Sequence, residues 1–374
     1  MSFASHCTGK IEDVTPSPRT SMRPPSADLQ EIDNLFSKAG LVRSLRGKSS
    51  AHFRPARLDR AAPEELSRKS VMPAVAANGV RWLPVPGWNF PWLWSGFSTR
   101  MCGESRAYCP EGAPGELNLG FTAQDTRDAV LANRKLLAEA ITGNASTPLV
   151  TLRQFHSSRV VRVTAADTER MPPRKADGAM TDEPGLLLTV LTADCIPVLV
   201  ADRKRRAVGA FHAGWRGTVK RIVETGVGRM RLEFGSQPED LVAAIGPGIG
   251  QCCYAVGEEV LSEFESQFTY GRELFREVYN SDAVRTKYPM LFLTQRAPGH
   301  SPIGPSLHVD LVEANRRQLM AAGVAAKAIQ IVGGCTQCQP ELFFSHRGSR
   351  GHAGRMMAVI GVQSRAKNRP ASGR

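Results

Sequence analysis

The sequence predicts an α+β domain of layered sheets and helices, and three observations carry that prediction. From about Val80 the chain alternates short apolar runs with amphipathic stretches. These strands and helices mix without a regular strand–helix–strand repeat, which argues against a doubly wound parallel sheet. With 374 residues, 42% of them hydrophobic and 22% charged, the chain can bury a sizeable core.

Residues 80–86 and 93–99 read as short strands separated by Gly and Pro. A helix is expected over 125–140, with Asp125 as its cap and Ala129, Leu131, Leu136 and Leu137 as apolar positions. Strands are expected at 149–155, 160–164, 186–191, 198–201 and 208–211. An amphipathic helix follows at 218–234, then a buried strand at 241–245 ending in Gly246-Pro247-Gly248. Helices at 258–264 and 311–322 precede the last strands, 329–332 and 357–360.

Residues 1–72 differ in character. They are rich in Ser, Pro and Arg, with only a weak amphipathic helix at 29–39, and read as a disordered basic extension. Glu12, Asp13, Asp28, Glu31 and Asp33 argue against a transit peptide. Met72 sits at the junction as an alternative start. Residues 80–362 then read as the folded domain and 363–374 as a basic flexible tail.

The net charge of +13 is scattered, with no aromatic-interleaved basic motif, so no specific nucleic-acid partner is expected. The longest apolar stretch, 186–200, is broken by Asp194 and Pro197 and is too short to span a membrane. Eight cysteines without scaffold density, and no signal-peptide pattern, fit a reducing, cytoplasmic setting. Cys335 and Cys338 form a lone C-x-x-C. A zinc ribbon needs a second such pair, and the adjacent Cys252 and Cys253 do not supply it, so these read as structural thiols. Trp82, Trp88, Trp92 and Trp94 read as core or interface residues.

Three strand-end features carry chemistry: Gln154-Phe155-His156, Thr192-Ala193-Asp194-Cys195-Ile196-Pro197, and the glycine-rich His212-Ala213-Gly214-Trp215-Arg216-Gly217. Each alone has a structural explanation, but two imidazoles and a thiol can share one site. That set suits Zn²⁺ with an open fourth position, copper, or a Cys195 nucleophile with His156 or His212 as its base. Spacing does not choose among them.

TADCIPVLV followed by FHAGWRG resembles the signature of the YfiH family, also called polyphenol oxidoreductase or laccase-domain proteins. The resemblance continues through FSTR (97–100), NLGF (118–121), QFHS (154–157), ADGAMTDEPG (176–185), AAIGPGIGQCCYAVGEEV (243–260), HVDLVEAN (308–315), FFSHRG and GRMMAVIGV. It implies a single four-layer αββα domain and a metal site of His156, Cys195 and His212. It also implies phosphorolysis of adenosine, inosine, guanosine and methylthioadenosine, with adenosine deamination, zinc as the metal and copper as the alternative. Family members often read FSYRR where this chain has Phe344-Ser345-His346-Arg347-Gly348. Within that reading, Asp194 is a candidate acid that could instead orient a ligand or backbone, and Asp177, in an Asp-Gly turn pair, has a similar standing. Arg100 with Ser98, or Arg216, is expected to hold phosphate, and Asn118 to contact ribose or fix a loop. Purine nucleosides and phosphate are the expected partners. The competing expectations are a metal-free Cys–His amide hydrolase acting on cell-wall precursors and a copper phenol oxidase.

Overall fold

The computed structural model describes residues 72–278 and 306–364. The expected N-terminal extension up to residue 71, and the tail from residue 365, lie outside the described residues. In chain order the first strands are β1 (Ala74–Val75), β2 (Arg81–Leu83), β3 (Leu93–Ser98) and β4 (Met101–Ser105). After helix α1 (Arg127–Thr142) come β5 (Leu149–Val150), β6 (Val160–Arg162), β7 (Gly178–Thr181), β8 (Leu187–Thr192), β9 (Ile196–Asp202) and β10 (Val208–Ala213). Helices α2 (Trp215–Val219) and α3 (Ile222–Phe234) lead into β11 (Leu241–Ile245), β12 (Ala255–Val256) and α4 (Glu258–Gln267). The last elements are β13 (Phe275–Val278), β14 (Ser306–Val309), α5 (Leu311–Ala321), β15 (Ile329–Ile331) and β16 (Met356–Val362).

Two six-stranded sheets result, ordered β1-β2-β3-β16-β8-β5 and β15-β11-β9-β10-β7-β6, with a small sheet β12-β14-β13 beside them. Alternation along the strands explains how they stack. In β9, Leu199 and Ala201 join Leu188, Val190, Ala358 and Ile360 in a core between the sheets. Val198 and Val200 face the other way, onto Ile222, Val227, Leu311 and Leu319 of the helices. On the far side Met357 and Val359 pack against Leu137 of α1. The order is helix, sheet, sheet, helices: the four-layer α+β architecture expected. Among the described residues no helix is long and apolar enough to cross a membrane.

Local chemistry shifts several expected boundaries. The α1 cap is Thr126, whose side chain accepts from the Ala129 N–H, while Asp125 accepts from the Thr126 N–H. The buried face of α1 is Val130, Asn133 and Leu137, so Leu131 lies outside it. Asn133 belongs there because its amide donates to Ser105 and to the Asn118 carbonyl, pinning β4 and the following loop. The helix expected over 218–234 breaks at Arg221, which takes φ 57°. β1, β4, β7 and β12–β14 were not anticipated: β1 and β12 are two residues long, and the others are short and carry Gly, Ser or charged residues.

Phe211 of β10 shows how closely this core is fitted. A Cβ on Gly226 of α3 would lie 2.4 Å from its ring, and one on Gly178 would lie 2.8 Å away. The ring fills space that only glycine leaves open. Phe211→Ala is expected to destabilise the domain by about 3–5 kcal/mol. Denaturant unfolding checks this as a lower midpoint with an unchanged slope.

Candidate active site

The site forms at one end of the second sheet, where strand register places its residues. β10 runs antiparallel to β9 with His212 opposite Pro197 and Ala213 opposite Ile196. Continuing that register puts Gly214 opposite Cys195, so His212 and Cys195 are diagonal neighbours on one face. On its other side β10 pairs with β7, Phe211 opposite Gly178, and the His212 N–H donates to the Asp177 carbonyl. β6 lies parallel to β7, and the turn before it carries His156 at φ 61°.

Asp177 holds these pieces together. Its side chain is fully buried and accepts from the backbone N–H groups of Phe155, His156 and Ser157, from the Ser157 hydroxyl and from His212 Nδ1 at 3.0 Å. Gln154 fastens the same turn to the first sheet, its amide donating to the Leu191 carbonyl and accepting from the Leu191 N–H. The His156 turn is therefore clamped between both sheets. With Nδ1 of His212 engaged by Asp177, Nε2 is the nitrogen left to face the site.

The ligand atoms of His156, Cys195 and His212 lie within 4.8 Å of one another, and the two imidazoles stand edge to face at 5.0 Å. Cys195 Sγ is 3.8 Å from His156 Nε2. Gly214 gives room, since a Cβ there would sit 2.8 Å from Cys195 Sγ and 2.9 Å from the His156 ring. Burial pushes the Cys195 thiol up, but the His212 charge and hydrogen bonds from His156 and His212 outweigh it and bring it to about 6. Burial opposes the charge on His212, yet the Cys195 thiolate and the Asp177 carboxylate raise it to about 9. Against its own burial, the hydrogen bonds from His212 and Ser157 hold Asp177 well below the usual carboxylate range.

The triad opens on a cleft of about 1160 Å³ that also takes in Arg134, Arg153, Arg216, Arg347, Arg355 and Tyr254. Asp194, at φ 88°, lines this cleft, but its carboxylate accepts from Thr336 Oγ1 and from the Arg347 N–H. Ser98 is buried and accepts from the Met357 N–H. Arg100 pairs with Glu116 at 2.6 Å, donates to the Pro340 carbonyl and stacks on Phe344. Asn118 is buried and ties together Gly120, Asp125 and Arg355. The structure thus brings Arg216 to the cleft and leaves Ser98, Arg100 and Asn118 outside it. Gly246–Gly250 packs behind Cys195, with the Ile249 N–H on the Asp194 carbonyl.

Sequence reasoning missed Arg153, Tyr254, Trp215 and Phe121 as cleft residues. All four stand inside or beside quoted motifs: Phe121 closes NLGF, Arg153 directly precedes QFHS, Trp215 lies in HAGWRG and Tyr254 follows the paired cysteines. His346 and Arg347, at the departure from FSYRR, also line the cleft.

The family model described as multi-copper polyphenol oxidoreductase laccase matches residues 95–363. The chain belongs to this family, that of the YfiH proteins. It is 34% identical over 303 residues to purine nucleoside phosphorylase YlmD of Geobacillus stearothermophilus, covering 78% of this chain and 98% of that protein. To purine nucleoside phosphorylase YfiH of Escherichia coli it is 34% identical over 246 residues, covering 65% and 85%. Among solved structures, YfiH of Bacillus licheniformis superimposes with a TM-score of 0.62 at 32% identity, covering 78% of this chain and 97% of that one.

The pairing of Cys195 with His212 predicts how this thiol reacts when the site holds no metal. Alkylation of Cys195 by iodoacetamide, followed by peptide mass, is expected to reach half its maximal rate near pH 6. An ordinary thiol reaches it near ~8.5. Below the midpoint the thiol is protonated and the rate falls. His212→Ala removes the stabilising charge and should move the midpoint up. A wild-type midpoint in the ordinary thiol range would contradict the pairing.

Proposed function

We propose that this protein is a zinc-dependent purine nucleoside phosphorylase. It takes adenosine, inosine, guanosine or methylthioadenosine with phosphate to free base and pentose 1-phosphate, and it deaminates adenosine as a second activity. The observation that carries this reading is the opening of the His₂Cys cluster directly onto an arginine-rich cleft. The purine nucleoside phosphorylase names of the relatives support it.

The residues fit the metal. Two imidazoles and one thiolate are the donor set of a catalytic zinc site with an open position, and Gly214 leaves space that any Cβ would fill. When bound, the metal supplies Lewis acidity, which makes water a nucleophile at neutral pH. Zinc is preferred over copper because neither reaction changes oxidation state. Residues 80–362 form the catalytic domain.

The chain's own residues supply the rest. Asp177 fixes the His212 tautomer and the His156 turn, and is a positioning residue. Arg216 and Arg153 hold phosphate: among the described residues neither guanidinium has a hydrogen-bond or ion-pair partner, and both line the cleft. In phosphorolysis a phosphate oxygen forms a bond to C1′ as the C1′–N9 bond breaks, and the purine departs with a proton. Tyr254 is pushed up to about 12 by burial and by the Cys195 charge, so it stays a phenol and offers its O–H at the cleft wall. Asp194 supports the loops around Cys195, and Ser98, Arg100 and Asn118 support the scaffold behind the cleft.

The test is chromatography of adenosine incubated with zinc-loaded protein, with and without phosphate, beside Cys195→Ala. Adenine should appear only with phosphate and inosine without it, each falling by more than about 100-fold in the variant. Untouched adenosine under every condition would remove the reading in favour of a Cys–His amide hydrolase acting on cell-wall precursors. Phenol oxidation only by copper-loaded protein would instead favour a copper oxidase.

A further inference from the structure

Among the described residues a second group of side chains converges as closely as the first. Cys252, Cys253, Cys335 and Cys338 place all four sulfurs within 4.8 Å of one another. Cys338 Sγ is 3.5 Å from Cys252 Sγ and 3.3 Å from Cys253 Sγ, contacts far longer than the ~2.05 Å of a disulfide. A tetrahedral zinc with Zn–S near ~2.3 Å has sulfur–sulfur edges of about 3.8 Å. The two contacts of Cys338 lie slightly inside that value, and every other pair lies within 4.8 Å.

We propose that these four cysteines form a structural zinc site, separate from the His₂Cys centre. The backbone is shaped for it. Cys252 and Cys253 lie in a turn closed by the Cys253 and Tyr254 N–H groups on the Gly250 carbonyl, which brings both neighbours to one side. Gly250 is open for the same reason: a Cβ there would meet Cys335 Cβ at 3.1 Å and Cys252 Sγ at 3.2 Å. The second pair that a ribbon needs is present, but as an adjacent pair more than 80 residues away in sequence.

Four protein ligands complete the tetrahedron, so this zinc holds structure and leaves no position for substrate. It fastens the loop at 246–254 to the loop at 333–339. Both loops meet Asp194: Ile249 donates to its carbonyl and Thr336 to its carboxylate. The staple therefore braces the segment that carries Cys195 from behind. Metal binding across so long a loop stabilises the folded state over the open chain.

Zinc content of the full chain, purified under reducing conditions, loaded and freed of excess metal, tests the proposal. The wild type should hold about two zinc ions per chain. Cys335→Ser/Cys338→Ser should lose one, and His156→Ala/His212→Ala should lose only the other. Cobalt(II) loaded into the His156→Ala/His212→Ala protein should give the intense visible bands of tetrahedral thiolate coordination, and this arm decides if the cysteine variant fails to fold. A wild type with one zinc, lost in the cysteine variant and kept in the histidine variant, supports this site while removing the metal reading of the other. Zinc confined to the histidine site, with no cobalt–thiolate bands, overturns the proposal, as do paired disulfides by mass with no metal bound.

Discussion

The site depends on one buried carboxylate. Asp177 sits where β7 begins, beside the end of β10, and is shielded from water. A carboxylate there is tolerable only if its lone pairs are met, and the donors that meet them come from the His156 turn and the His212 ring. The two imidazoles lie more than 50 residues apart in sequence, yet one anion sets the turn of the first and the tautomer of the second. Cys195, directly before β9, joins them through the continued strand register, as the diagonal neighbour of His212. The electrostatics follow: the anion favours a charged His212, and a charged His212 favours the thiolate.

Outside this knot the charged side chains that line the cleft are mostly arginines. Several arginines line it, and some are already engaged: Arg355 donates to the Ala353 carbonyl, Arg347 to the Ala255 carbonyl and Arg134 to the Leu119 carbonyl. Among the described residues the guanidinium groups of Arg153 and Arg216 make no hydrogen bond or ion pair, and Arg216 lies over the Trp215 ring. The cleft wall mixes these groups with Phe121 and Trp215. The scattered positive charge of the whole chain gave no hint of this local concentration.

What the sequence revealed, and what it did not, follows from range. The layered α+β class and most helices were legible because periodicity is local, as in β11 and α5. The grouping of His156, Cys195 and His212 was legible because each breaks a strand end with an unusual residue. The role of Asp177 was hidden, since Asp-Gly is a common turn pair and nothing local marks it as the acceptor for two other segments, the His156 turn and the His212 ring. Arg100 and Asn118 looked functional because they stand in distinctive motifs. Their partners, Glu116 and Pro340 for one, Asp125 and Arg355 for the other, are visible only in the fold. The four-cysteine cluster escaped for the same reason, because its halves meet only through the packing of two distant loops.

The most direct test of this account is the zinc affinity of Asp177→Asn, measured by competition with a chelator alongside circular dichroism of the fold. An amide keeps the shape but cannot accept every hydrogen bond the carboxylate accepts, so the His156 turn and the His212 tautomer both loosen. The account predicts a folded protein whose zinc affinity at the His₂Cys centre falls by about 10–100-fold. A folded variant that binds zinc as tightly as the wild type would contradict it.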